Sequence, residues 1–202
     1  MSDRLHPTAS APAIPHVVEE TGLGERSSDI FSRLLRRRVV FLGSAIDDAV
    51  ANVIVAELIH LDADEPNTPI RLYINSPGGE MSSMLAIYDT MQHVSSPVET
   101  VCIGMAASAA AVILAGGHKG SRGALPHARV MIHQPHVQHT VQGQAADIAI
   151  HAAEVGRMRR QMSGLLAADT NHTVEEVMAD TERDRWMPAE EALAYGLIDA
   201  IV

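Results

Sequence analysis

Four scarcities narrow what this chain can be. It has a single cysteine, Cys102, so no internal disulfide can form. That residue lies in an apolar run, where it reads as a small buried hydrophobe, and its solitary state fits a reducing compartment, hence the cytoplasm. Positive charge is also short: 15 Lys and Arg stand against 25 Asp and Glu, a net charge of −10, which argues against nucleic acid as a partner and for an acidic, soluble surface. The longest apolar run, Val101 to Ala115, falls short of the roughly 20 residues a membrane span needs. The N-terminus lacks the apolar core of a secretory signal, so none is expected. What is present is ordinary for a globular protein: 47% apolar residues in 202, enough for one domain with a full core.

The chain alternates between strand and helix patterns. Residues 1–16 hold Pro7, Pro12 and Pro15 without periodicity, and read as a flexible or removable leader ahead of a single domain over 17–202. Ser28 or Asp29 caps a short helix to Arg37. Val39–Leu42 is a strand. A helix opened by Ser44 or Asp47 runs to about Leu61, with Val50, Val53, Ile54, Leu58 and Leu61 at helical spacing. Ile70–Ile74 is a strand ending in the turn Asn75-Ser-Pro-Gly-Gly79. A helix with Met81, Met84, Leu85, Tyr88 and Met91 on one face follows, and such a stripe is core more often than a cofactor site. Val130–His133 is another strand. A long helix spans Gln144 to about Ala168, with apolar residues on more than one face, including Ile148, Ile150, Met158 and Met162. A helix that apolar needs cover on several sides. Thr173–Glu176 is a capping box, and Gly196 caps a helix running from Pro188 to Tyr195. The alternation predicts an α/β fold.

The organising stretch is Gly104 to Gly117. A β-type run, Val98–Ile103, leads into it and an alanine-rich helical run leaves it, which puts Ser108 at the strand-to-helix turn. Helix N-termini leave backbone N–H groups unpaired and favour a developing negative charge. The logic is that of a nucleophile elbow, although the spelling differs from Gly-x-Ser-x-Gly. Taken alone, this stretch reads first as a buried small-residue helix with an incidental serine. His133, one of 11 histidines, would alone be a strand-end histidine, and Asp184 between Arg183 and Arg185 a surface ion-pair residue.

Together the blocks point further. Gly104-Met-Ala-Ala-Ser108, Val130-Met-Ile-His-Gln-Pro135 and Asp180-Thr-Glu-Arg-Asp-Arg-Trp186 resemble the three signature blocks of the Clp protease proteolytic subunit. Asn75–Gly79, Gly24–Asp29 and Glu191–Asp199 also match that family, in the right order. The resemblance implies a Clp-protease/crotonase-like superhelix of ββα units with a protruding long handle helix, about residues 134–168. It implies a serine endopeptidase with Ser108 as nucleophile, His133 as base and Asp184 as the acid that orients the imidazole. The backbone N–H groups of Gly79 and Ala109 would form the oxyanion hole. Seven-membered rings of this chain or a paralogue would stack as a tetradecamer around the active sites. The substrates would be unfolded proteins and peptides delivered by an ATP-dependent AAA+ unfoldase, with no cofactor in this subunit. His133, His136 and His139 suit a helix face for metal binding, but Pro135 and the strand context argue against a helix, and no metal is expected.

The chain departs from the family at three places. His136–Val141 is about two residues longer than the usual segment and has no glycine. With His136 and His139 near the ring interface, that segment leads to an expectation that ring stacking weakens below about pH 6. Ala109-Ala110 replace Met-Gly, which predicts a wider pocket for the residue before the scissile bond. Arg71 and His93 stand where the family's ATPase-docking pocket is aromatic or apolar. Two other readings are a non-catalytic ring subunit working with an active paralogue and a crotonase-type acyl-CoA enzyme, which would need no Ser-His-Asp set.

Overall fold

In a computed structural model of the chain, residues 14–21, 24–135 and 142–202 are described. Residues 1–13 of the expected leader and the whole of the His136–Val141 segment lie outside them. The chain divides into two units between Arg37 and Arg38.

The first unit holds a hairpin and a short helix. Strand β1 (His16–Thr21) pairs antiparallel with β2 (Gly24–Asp29), His16 opposite Asp29. Asp29 then caps helix α1 (Ile30–Leu35), its carboxylate accepting the Ser32 N–H at 2.9 Å. The hairpin has no counterpart in the periodicity reading, whereas Asp29 was one of the two expected caps.

The second unit is a mixed sheet covered by helices. Strands β3 (Val39–Leu42), β4 (Ile70–Ser76), β5 (Val98–Ala107), β6 (Arg122–Ala124) and β9 (Ala200–Ile201) run parallel in that order. The second half of β5 pairs in parallel with β7 (Arg129–Ile132), and β7 pairs antiparallel with β8 (Arg185–Pro188). Along β4, Ile70, Leu72, Ile74 and Ser76 are buried and the residues between them are not, the period of two that a half-covered strand requires. The parallel core and the seven helices found among the described residues bear out the expected α/β class. Strands β6 and β8 have no counterpart in the periodicity reading, since neither Arg122–Ala124 nor Arg185–Pro188 carries an apolar β-type run.

Helix α2 (Asp48–Asp64) is capped by Asp47, which accepts the Val50 N–H at 2.8 Å. It buries Ala51, Ile54, Leu58 and Leu61. Val53, counted in the expected stripe, faces outward instead. One turn before Leu58 the inward position falls to Ile54, and 53 lies 100° round the helix from it. Helix α3 (Met81–His93) buries Met84, Ile87, Tyr88 and Met91. Helix α4 (Ala109–Ala115) is buried over its whole length. Helix α5 (Ala145–Asp169) buries only Met162, Ser163 and Leu166, and Ile148 and Ile150 stand exposed on its first half. The expected Thr173–Glu176 capping box opens α6 (Val174–Asp180). Helix α7 (Ala189–Tyr195) ends at Gly196 in the left-handed conformation. The chain end is latched to β6: the Asp199 carboxylate accepts hydrogen bonds from the N–H groups of Gly120 and Arg122 and from the Arg122 guanidinium. On β4, Arg71 pairs with Glu99 directly opposite on β5, at 3.0 Å.

Candidate active site

The site forms where β5 and β7 end side by side. Ala107 is the last residue of β5 and lies opposite Met131. The chain then turns at Ser108 with φ 56° and ψ −122° and enters α4. A serine rarely adopts that conformation, and it costs on the order of 1–3 kcal/mol unless the surroundings enforce it. Here they do. The Ser108 N–H donates to the Met131 carbonyl at 2.8 Å, and the buried helix that follows fixes the exit direction. The turn therefore presents the Ser108 hydroxyl outward from the strand ends.

A second loop packs against this turn. Residues Asn75–Gly79 follow β4, and the β4–β5 register slips between the Ile74–Cys102 and Ser76–Ala106 pairs. The Asn75 side chain fills the slip, its carboxamide oxygen accepting the Met105 N–H at 3.2 Å. Buried Ser76 accepts the Gly78 N–H at 3.1 Å. Gly78 has φ +91°, and a Cβ there would lie 2.5 Å from the Ala107 carbonyl oxygen and 2.8 Å from the Ser108 Cβ. Only glycine lets the two backbones approach so closely.

His133 follows β7 and Asp184 precedes β8. Ile132 and Arg185 are the last opposed pair of those antiparallel strands, so the next residues on each side meet. His133 Nδ1 lies 3.2 Å from an Asp184 carboxylate oxygen. His133 Nε2 lies 2.8 Å from Ser108 Oγ. With its proton on Nδ1, facing the carboxylate, the imidazole leaves Nε2 to accept the serine proton. The histidine side chain is 15% exposed and the aspartate 61%. The Asp184 loop is nonetheless tied down at several points. Gln134 donates to the Thr181 carbonyl at 2.7 Å through its backbone N–H, and to the Glu182 carbonyl at 3.0 Å through its side chain. Arg159 of α5 reaches the Glu182 carboxylate at 2.6 Å and the Met178 carbonyl at 3.0 Å.

Two residues with backbone N–H groups to spare stand beside this arrangement. Gly79 bridges Ile46 in a parallel pair: the Ile46 N–H donates to Gly78 and the Glu80 N–H to Ile46, each at 2.9 Å. In a parallel pair the N–H of the intervening residue points the other way, so the Gly79 N–H is turned from Ile46. Ala109 is the first residue of α4, and its N–H is one of the donors that a helix start leaves unpaired. Gly79, Ala109, Ser108 and His133 all line one cavity of about 640 Å³. Five methionines contribute to its wall: Met81 and Met84 from α3, Met131 from β7, and Met158 and Met162 from α5. From spacing, the α3 methionines read as a core stripe, and Met158 and Met162 as part of a helix surface that needs cover. Only their convergence, which depends on how the two helices cross the strand ends, makes them a pocket wall. Glu80, also on the lining, carried no sequence signal at all.

The other potential nucleophile is unsuited. Cys102 is buried, and burial pushes its thiol up to about 11, so it stays protonated. Among the described residues no three His, Cys, Asp or Glu side chains gather as a metal site, and no helix is long and apolar enough to cross a membrane. His136 and His139 lie outside the described residues. A sequence model of the Clp protease family matches residues 22–202. The chain belongs to that family, whose members are peptidases that assemble as rings.

Proposed function

We propose that this chain is the serine endopeptidase subunit of an ATP-dependent Clp-type protease. It would hydrolyse peptide bonds of unfolded proteins and peptides within stacked seven-membered rings in the cytoplasm. The observation that carries the reading is the unbroken line Ser108 Oγ, His133 Nε2, His133 Nδ1 and Asp184, with contacts of 2.8 and 3.2 Å. His133 takes the Ser108 proton as the oxygen attacks the scissile carbonyl. Asp184 holds the imidazole in the required tautomer and stabilises the imidazolium that forms. The Gly79 and Ala109 N–H groups receive the oxyanion, each such donor being worth about 10²–10³ in rate. His133 then returns the proton to the leaving amine, and water repeats the sequence to release the acyl group.

No step calls on a metal or bound cofactor in this subunit. ATP would be spent by an AAA+ unfoldase that feeds the chamber, and the exposed isoleucines of α5 would be covered by neighbouring subunits, of this chain or a paralogue. The crotonase-type reading gains nothing from the site, because enolate stabilisation has no use for a serine held at 2.8 Å from an imidazole. The test is labelling of the assembled protein with a serine-directed fluorophosphonate. One adduct per chain at Ser108 is expected, and none in Ser108→Ala. An assembled wild-type protein that stays unmodified overturns the proposal and favours the non-catalytic subunit.

A further inference from the structure

The cavity beside Ser108 is apolar except in one respect. Five methionines, Pro77, Pro135 and Ala45 supply most of its lining, and among the described residues only two side chains there titrate, His133 and Glu80. His133 serves as the base and is neutral when it does so. Glu80 therefore sets the sign of charge in the pocket. Its backbone is fixed: the N–H donates to the Ile46 carbonyl at 2.9 Å, and the residue sits at the N-cap of α3 with an extended conformation. An N-cap carboxylate commonly folds back onto the helix's own N–H groups, but Glu80 makes no such bond. Nothing in its own helix holds the carboxylate, and Glu80 is an exposed residue among those that line the pocket.

Resting on the peptidase reading, we take the cavity, which Ala109 lines, as the pocket for the side chain on the acyl side of the scissile bond. We infer that Glu80 is a specificity-determining residue, which makes the pocket reject acidic side chains at that position and accept apolar ones and apolar stems ending in a cation. The methionine walls are flexible and polarisable, and adapt to side chains of different shape. Unbranched stems such as those of methionine, leucine or lysine suit them. A lysine lays its methylenes along such a wall and carries its ammonium to the rim, where Glu80 can meet it. A glutamate of similar length brings a second carboxylate to the same rim. Like charges a few ångströms apart in a half-solvated site differ from a neutral pair by about tenfold in binding. The effect weakens as salt shortens the screening length to about 3 Å near 1 M.

The test uses the full-length assembled protein and four fluorogenic peptides that differ only in the residue before the cleaved bond: Leu, Met, Lys or Glu. The quantity read is the ratio of kcat/KM for the Glu peptide to that for the Leu peptide. In Glu80→Gln this ratio should rise about tenfold, and in Glu80→Lys further, with the Lys-to-Leu ratio falling in parallel. The wild-type ratio should also rise near 1 M salt. A merely structural role for Glu80 would lower all four peptides together and leave the ratios alone. Unchanged ratios in both variants, with the peptides still cleaved, overturn the inference while leaving the peptidase reading in place. A wild type that cleaves no peptide and takes no phosphonate overturns both.

Discussion

Gly79→Ala separates the two jobs assigned to one short loop. A Cβ at position 79 would lie 2.0 Å from the Ile46 carbonyl oxygen and 2.7 Å from the Ile46 nitrogen and carbonyl carbon. All three are backbone atoms, so no side chain can swing aside. Against the roughly 3.5 Å of an ordinary carbon contact, the bridge has to open by about 1.5 Å. Two hydrogen bonds hold that bridge, from Ile46 to Gly78 and from Glu80 to Ile46. At about 1 kcal/mol net for each, their loss should lower stability by about 2 kcal/mol. The kinetic cost should be larger. The Gly79 N–H moves with the bridge, and an oxyanion donor displaced by an ångström no longer meets the developing charge, so kcat should fall by about 10²–10³. KM should change little, because the donor acts on the transition state and not on the bound carbonyl.

Gly120→Ala is the control for backbone conformation alone. Gly120 has φ +88° and nothing within 4 Å of a built Cβ, so alanine there meets only the strain of the left-handed region, about 1 kcal/mol. Its activity should be that of wild type. The assays are steady-state peptide hydrolysis, phosphonate labelling rate and thermal unfolding, each on protein of verified assembly state. A Gly79→Ala variant that unfolds at a lower temperature yet keeps kcat within threefold would refute the oxyanion role and leave Gly79 as a packing residue only.

Asp199→Asn should cost about 3 kcal/mol at neutral pH, because it strands the nearly buried Arg122 guanidinium that the carboxylate holds at 2.6 Å. The Arg122 hydrogen bonds hold the Asp199 carboxyl below its ordinary range, so the stabilisation is complete above about pH 4 and disappears as pH falls through that lowered value; urea unfolding of the two proteins should converge in acid, and parallel curves at all pH would remove the pair from the account. For the leader, mass spectrometry should show trimming around Ala11 to Ala13 in wild type and none in Ser108→Ala. Intact N-termini in both, from protein active on peptides, would exclude self-processing.

Local chemistry was legible wherever a single residue type decided it. Asp47 and Asp29 cap helices because their carboxylates reach the N–H three residues on, and Thr173 with Glu176 forms the expected box. These are interactions within one turn, so the sequence neighbourhood contains the whole argument. The hairpin of β1 and β2, and the short strands β6 and β8, were not legible. Strand β8 exists because β7 offers it an edge, and no residue in Arg185–Pro188 announces that partner. Val53 was misassigned for a related reason: spacing identifies a stripe, but which neighbour the stripe meets decides its edges.

The site divides along the same line. Ser108 stood out because a strand pattern and a helix pattern abut there with no room for a loop, and so sharp a join forces a backbone conformation that few residues adopt, the observed φ of 56°. His133 and Asp184 are each unremarkable in sequence and gained meaning only through family resemblance. Their 3.2 Å contact follows from the pairing of β7 with β8, the strand the periodicity did not reveal. The same pairing explains why an aspartate that is mostly exposed can be held in place. Its position depends on the ladder behind it and on the tethers from Gln134 and Arg159 to the preceding loop, not on burial of its own side chain. The element hardest to read from the sequence thus carries the geometry on which the proposed chemistry most depends.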